Sequence, residues 1–182
     1  MIRITVFLAA SVVLAYISRK CLVRPRCHGF YRFFAWELSV AMLLLNVTVW
    51  QSSVLALRFI PSAILFAISA GLALHAFHVL RVIGKPNSSR AEGELLPFER
   101  TQVLVTVGAY KSIRHPLVSS YLAGTWGFSL MLPTWTGLAL VLAITACLCL
   151  AALSEEAECR RYFGPAYDAY MQATKRFIPA VV

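Results

Sequence analysis

The stretch LVSSYLAGTWGFSLMLPTWTGLALVLAITACLCLAAL, residues 117–153, holds no Asp, Glu, Lys, Arg or His and is broken only at Pro133-Thr134. Each side of that break approaches the ~20 apolar residues that an α-helix needs to cross a bilayer. The break is short, so the two segments form a hairpin of antiparallel helices with Pro133 and Thr134 at its outer tip. His115 lies eighteen residues before Pro133 and Glu155 twenty-two after it, depths that differ by about one helical turn. The start of one helix and the end of the other should therefore meet at the same membrane surface.

Working outward, further apolar runs lie at about 4–17, 33–50 and 59–80, which with 117–132 and 134–153 make five spans. The expected fold is all-α: one membrane-embedded domain over 1–182, a bundle of five transmembrane helices with a cytoplasmic cofactor site and short C-terminal surface helices. Composition agrees. Of the chain's residues 59% are apolar and 14% charged, with a mean hydropathy of +0.72. That is too little polar side chain to cover a water-facing surface, and it excludes a disordered chain, a collagen-like fibre and a disulfide scaffold. A cleaved signal peptide is the competing reading of the first run, which carries Arg3. Arg19, Lys20, Arg24, Arg26 and Arg32 follow it without a clear small-residue cleavage site, so it is kept as a span.

The net charge is +9, from 17 Lys and Arg against 8 Asp and Glu. Fifteen of the basic residues fall in segments 19–32, 81–116 and after 154, which alternate spans place on one side; only Arg3 and Arg58 fall on the other. Basic loops stay cytoplasmic, so the N-terminus is expected outside and the C-terminus cytoplasmic, in a bacterial inner membrane or an endoplasmic reticulum membrane. The charge then reflects orientation and contact with membrane lipids, and no nucleic-acid partner is needed to explain it.

At the expected meeting point, Arg114-His115-Pro116 precedes an apolar helix, with Pro116 at its first position and His115 as its cap. Free backbone N–H groups there, with Arg114 beside them, would favour an anion. Anchoring of Arg114 in the headgroup layer is the plainer alternative. Opposite stands Glu155-Glu156, an acidic pair that an anionic membrane surface does not favour, although the two could also be helix N-terminal charges after Ser154. Groups for a cation and for an anion at one depth suggest a zwitterionic or multiply polar ligand.

The ordered set Tyr110-Lys111-Ser112-Ile113-Arg114-His115-Pro116, the hairpin, Glu155-Glu156, then Tyr162-Phe163-Gly164-Pro165-Ala166-Tyr167-Asp168-Ala169-Tyr170 and Arg176-Phe177-Ile178-Pro179 resembles the isoprenylcysteine carboxyl methyltransferase family of integral membrane methyltransferases, over about residues 102–179. The resemblance implies S-adenosylmethionine as methyl donor and a lipophilic small-molecule or lipidated acceptor arriving from the bilayer. It places the cofactor against Gln102, Val103, Leu104, Val105, Tyr110, His115, Pro116, Leu117, Val118, Glu155 and Glu156. Arg114 and Glu155 are the candidates for catalysis. The physical chemistry is compatible: a carboxylate for the Arg114/His115 helix start, an ammonium and a ribose diol for the glutamates, and a sulfonium for an aromatic face such as that of Tyr110.

Two positions depart from the family. Val118 stands where a Tyr is usual, a hydroxyl that Tyr121 one turn on could replace. Ala151 stands where the family carries an Arg thought to meet the acceptor, so a prenylcysteine carboxylate would lack that countercharge, and a lipid amine, a thiol or another apolar nucleophile becomes the better acceptor. Two alternatives are carried: a membrane reductase using a nicotinamide cofactor, disfavoured by the acidic pair, and a non-enzymatic lipid-binding membrane protein, for which Val118 and Ala151 argue.

Elsewhere, His75 and His78 could face the site, though packing or helix-end capping explains them more simply. Four His without a carboxylate in that span argue against a metal. Glu37 is expected in an ion pair with the basic loop. Segment 84–101, with Gly, Pro, Ser and mixed charge, reads as a loop able to cover the cofactor. Phe163, Tyr167, Tyr170 and Thr174 recur at helical spacing around Gly164-Pro165, suggesting two short helices over the site.

Overall fold

The computed structural model describes residues 2–47, 59–87, 95–131 and 133–179. Six α-helices occur among them: α1 (Ile2–Leu22), α2 (His28–Asn46), α3 (Ile60–Ile83), α4 (Pro116–Met131), α5 (Trp135–Phe163) and α6 (Pro165–Ala173). The described residues contain no β-strand, only an isolated bridge between Ile113 and Lys175. The all-helical expectation holds.

Local chemistry sets the helix ends. Proline opens α3, α4 and α6 within the first turn, where its missing N–H has no intrahelical acceptor to lose. Thr134 caps α5, its side chain accepting from the Gly137 N–H at 3.0 Å. Gly164 ends that helix at φ +59°, a conformation open to glycine, and Pro165 begins α6 at once. Ser154 makes no break, since its hydroxyl donates back to the Leu150 carbonyl within a continuous helix. The acidic pair therefore sits inside one helix, and of the two short surface helices expected after it only α6 is separate.

In the bundle α3 packs along α4, and α2 packs along α5 and against α1. Ala35 and Met42 of α2 interlock with Val141, Ile144 and Leu148 of α5 as the main buried cluster. A Cβ at Gly127 of α4 would lie 3.0 Å from the Phe66 ring of α3, so the glycine allows close approach. Between helices in lipid, such contacts and interhelical hydrogen bonds do the work that water exclusion does in soluble cores. Tyr121 donates to Ser39 Oγ at 2.8 Å, and Ser11 donates to Glu37 Oε2 at 2.6 Å. Glu37 thus ties α2 to α1, rather than pairing with the basic loop as expected from sequence.

Among the described residues three helices, α1, α3 and α5, are long and apolar enough to cross a membrane. The other two expected spans fall short by composition or length. The described part of α2 includes Arg32 and Glu37; residues 48–50 of that expected span lie outside the described residues. The 16 residues of α4 reach only about 24 Å, against the ~30 Å of a hydrocarbon core. Among the described residues, three of the five expected spans are thus met by length and apolarity, with α2 and α4 packed among them.

Candidate functional site

The site grows from the 108–116 segment. Gly108, at φ +61°, turns the chain so tightly that a Cβ would lie 2.5 Å from His75 Nε2. The same Nε2 accepts from the Ala109 N–H at 3.1 Å, so His75 holds this turn and lies outside the cavity described below, as does His78. A 3₁₀ turn at Gly108–Lys111 then directs Tyr110 inward, and the Tyr170 hydroxyl of α6 donates to its carbonyl at 2.7 Å. Burial, with the charge of Glu155, raises the Tyr110 phenol well above its ordinary value, so it stays protonated.

The next residues clasp the C-terminal tail. The N–H groups of Arg114 and His115 donate to the carbonyls of Lys175 and Arg176 at 2.7 and 3.1 Å. The Arg114 and His115 N–H groups are thus used by the tail. Arg114 donates through Nε to Glu156 Oε1 at 2.9 Å and through Nη1 to the carbonyls of Met171 and Thr174. Arg176 adds two bonds to Glu156, at 3.0 and 2.8 Å. Glu156 is therefore a buried hub between two guanidinium groups.

The ends of the hairpin do meet. His115 occupies the cap position of α4 through its carbonyl, which accepts from the Ser119 N–H, and its ring reaches α5. Nδ1 lies 3.3 Å from Glu155 Oε2 and Nε2 3.4 Å from Glu156 Oε1. Burial alone would lower the imidazole pKa, but hydrogen bonds to Glu155 and Glu156 outweigh it and raise the value. Glu155 differs from its neighbour in being 39% exposed against 5%.

A second charged wall arises from residues that the sequence did not single out for the site. Glu158, one turn beyond Glu155, accepts from the His28 N–H at 3.0 Å and so caps α2 from a distance of 130 residues in sequence. It also binds His28 Nδ1 at 2.5 Å. On the other side of that ring Glu99 lies 3.4 Å from Nε2, pairs with Arg32, and accepts from the Leu96 N–H at 2.8 Å. Burial would raise the Glu99 pKa, yet the hydrogen bond from His28 and the charge of Arg32 bring it down to about 2. The i, i+3 spacing of Glu155 and Glu158 was the legible signal; nothing in the local sequence of Glu99 marked it.

Between the two walls lies a cavity of about 460 Å³. It takes in Tyr110, Arg114, His115, Leu117, Val118 and Glu155 of the residues expected at the site. Pro116 and Glu156 are buried behind it, and Gln102, Val103, Leu104 and Val105 are outside its lining. Val105 instead packs with Ala76, Val79 and Tyr110, supporting the turn. Leu95, Leu96, Phe98, Glu99 and Thr101, just before that strip in the 84–101 loop, line the cavity. Residues 88–94 of the loop lie outside the described residues. Val118, Ala151 and Tyr121 all face the cavity, though the Tyr121 hydroxyl is bonded to Ser39. Among the described residues no group of three or more His, Cys, Asp or Glu side chains could hold a metal ion.

No characterised protein sequence and no solved structure gives a significant match to the chain. The sequence profile described as phospholipid methyltransferase matches residues 57–166, more than half of the chain, including α3, α4, α5 and the cavity residues from Leu80 to Cys159 but not His28, Arg32 and Trp36 of α2. The apolar helices and this match together make the protein an integral membrane protein. The chain belongs to the phospholipid methyltransferase family, which includes the isoprenylcysteine carboxyl methyltransferase-like membrane methyltransferases.

Proposed function

We propose that the chain transfers the methyl group of S-adenosylmethionine to a lipophilic acceptor at the cytoplasmic membrane face. The observation that carries this reading is the single cavity joining Glu155 and His115 to the apolar wall of Leu117, Val118, Leu148 and Ala151. Its size lies within the ~300–1,000 Å³ of small-molecule sites. Polar groups at one end and aliphatic side chains at the other suit a charged donor meeting a lipid.

The residues present fit the donor's chemistry. Glu155 meets the protein through one oxygen, toward His115, and is open enough to accept from an ammonium or a ribose diol. Tyr110 offers an aromatic face to a sulfonium. Arg114 and His115 on the cavity wall, with Glu156 behind them, would hold Glu155 and the tail in place. When bound, S-adenosylmethionine supplies a methyl carbon made electrophilic by its sulfonium, and its departure leaves a neutral thioether.

For an in-line displacement the protein's part is alignment and exclusion of water. Leu95, Leu96 and Phe98 cover the cavity, and His115, fixed between two carboxylates, keeps Glu155 in one orientation. Basic residues at the site's end of the bundle support a cytoplasmic site with the N-terminus outside, in a bacterial inner membrane or an endoplasmic reticulum membrane.

Calorimetry with S-adenosylhomocysteine on detergent-purified protein tests the reading. Binding by the wild type, weakened in Glu155→Gln and His115→Ala, is expected. Absence of wild-type binding, or affinities unchanged in both variants, would contradict it.

A further inference from the structure

Tyr110 reaches the cavity from Gly108–Lys111, a single 3₁₀ turn whose leading N–H groups have no acceptor within it. Val107, at the cap position, offers no side-chain acceptor either. His75 of α3 supplies one, its Nε2 accepting from the Ala109 N–H at 3.1 Å. Gly108 permits that approach, since a Cβ there would lie 2.5 Å from the same nitrogen and 3.4 Å from Val79. Ala76 and Val79, on the same stretch of α3, pack with Tyr110 itself. One part of α3 thus both caps the turn and seats its aromatic residue.

An imidazole nitrogen accepts only when it carries no proton, so this bond requires the neutral tautomer with its hydrogen on Nδ1. In the protonated ring both nitrogens are donors, and Nε2–H would face the Ala109 N–H. His75 is exposed, so a proton reaches it without opening the bundle. The charged and titratable groups on the elements around it do not replace the acceptor. On α4 there is only Tyr121, whose hydroxyl is bonded to Ser39. The turn Pro97–Glu99 brings Glu99, which is committed to Arg32, His28 and the Leu96 N–H. The 108–111 turn brings Tyr110 and Lys111, and along α3 stand His78 and Arg81, the latter with its guanidinium 4.8 Å from the centre of the Phe77 ring. Among the described residues no carboxylate forms an ion pair with His75 that would hold the protonated ring in place.

We propose that His75 is a positioning residue for the cofactor site: its neutral ring holds the Gly108–Lys111 turn so that Tyr110 faces the cavity, and protonation of the ring releases the turn. Donor binding therefore weakens on acidification. The link to the donor rests on the methyl-transfer reading; the dependence of the turn on a neutral His75 does not. Because the bond is exposed, its loss is a local opening that global unfolding hardly registers.

Purified protein in detergent is titrated with S-adenosylhomocysteine at about pH 7.5 and about pH 5.5, an interval in which imidazoles change charge. Hydrogen exchange of peptides covering residues 107–113 is followed at both, corrected for its intrinsic pH dependence. The wild type is expected to bind about fivefold more weakly at the lower pH, the effect of one lost hydrogen bond, and to lose protection in those peptides. His75→Gln, whose Oε1 stands where Nε2 does and does not titrate, should match the wild type at the higher pH and change less than about twofold. It shares every other titrating group, so its profile subtracts their share. His75→Leu should be weak and unprotected at both pH values, and His78→Gln should keep the wild-type fall. Should His75→Leu fail to fold, the contrast between wild type and His75→Gln carries the test. Equal wild-type affinity at the two pH values, an equal fall in His75→Gln, or wild-type affinity in His75→Leu at the higher pH overturns the proposal. If the wild type binds no S-adenosylhomocysteine at either pH, the methyl-transfer reading fails and exchange alone decides. Protection lost on acidification in the wild type and kept in His75→Gln then sustains the role of His75 in the turn, and pH-independent protection overturns it.

Discussion

His115 Nδ1 lies 3.3 Å from Glu155 Oε2, joining the residue before α4 to the cavity side of α5. The neighbouring carboxylate has a different task. Glu156 is surrounded by Arg114, Arg176 and the other nitrogen of His115, and little of it reaches solvent. One glutamate is thus available to a ligand while the next holds the fold.

That division predicts opposite outcomes for two conservative substitutions. Glu156→Gln leaves two guanidinium groups without a countercharge and should cost on the order of 3 kcal/mol, the low end for a broken buried pair because Arg176 is partly exposed. Thermal unfolding in detergent would register it as a clear drop in Tm. Glu155→Gln should unfold near the wild-type temperature but bind S-adenosylhomocysteine about tenfold more weakly, roughly 1.4 kcal/mol. The reverse pattern would mean the roles are misassigned.

Stability should depend on pH from both sides. The His115 pKa is raised above its ordinary 6.5 by the two glutamates, so its contribution is complete below pH 6.5 and is lost as pH rises through the raised value. Glu99, lowered from 4.5 to about 2, contributes in full above pH 4.5, on the order of 3 kcal/mol, and loses that as pH falls toward 2. A plateau of Tm between about pH 4.5 and 6.5 is expected, and Glu99→Gln should make the acid limb shallower.

The two left-handed glycines should respond unequally to alanine. At Gly108 the added methyl meets His75 Nε2 in addition to the unfavourable φ, whereas at Gly164 nothing lies within 4 Å. Gly164→Ala should cost about 1–2 kcal/mol from backbone strain alone. Gly108→Ala should cost more and, by moving Tyr110, should weaken cofactor binding as well. Equal melting temperatures for the two variants would argue against the close packing of the turn on α3.

Arg114 fastens the end of α6 through the carbonyls of Met171 and Thr174, so Arg114→Ala should free the segment after α6. Limited proteolysis is expected to cut near Lys175 and Arg176 at a rate several-fold above wild type, while α5 remains protected. Unchanged cleavage would show that the backbone bonds from 114 and 115 hold the tail unaided.

The hairpin was legible because an uncharged run broken by one Pro-Thr pair permits a single folding, and depth counting from that break brought His115 and Glu155 together. Arg114 followed from the same helix start, whereas Tyr110, Leu117 and Val118 were placed there by the family resemblance. The wall formed by His28, Arg32, Glu99 and Glu158 was not legible. Its members are separated by 59 to 130 residues apart from two that share a helix turn, and no local pattern states that α2 begins on a carboxylate of α5. The strip Gln102–Val105 was placed at the cofactor by resemblance, and the structure puts the covering side chains a few residues earlier. Tail carbonyls occupy donors that the sequence left free, because a parallel bridge between residues 113 and 175 has no periodic signature.

The central claim is methyl transfer to a lipophilic acceptor, and the most direct measurement uses purified protein, S-adenosylmethionine labelled in its methyl group, and a total extract of membrane lipids and prenyl thiols. Label should pass into the organic phase with wild type and fall at least about tenfold with Glu155→Gln. Label that stays in the donor at the level of a protein-free control, with wild type folded and supplied with the whole extract, would contradict the account.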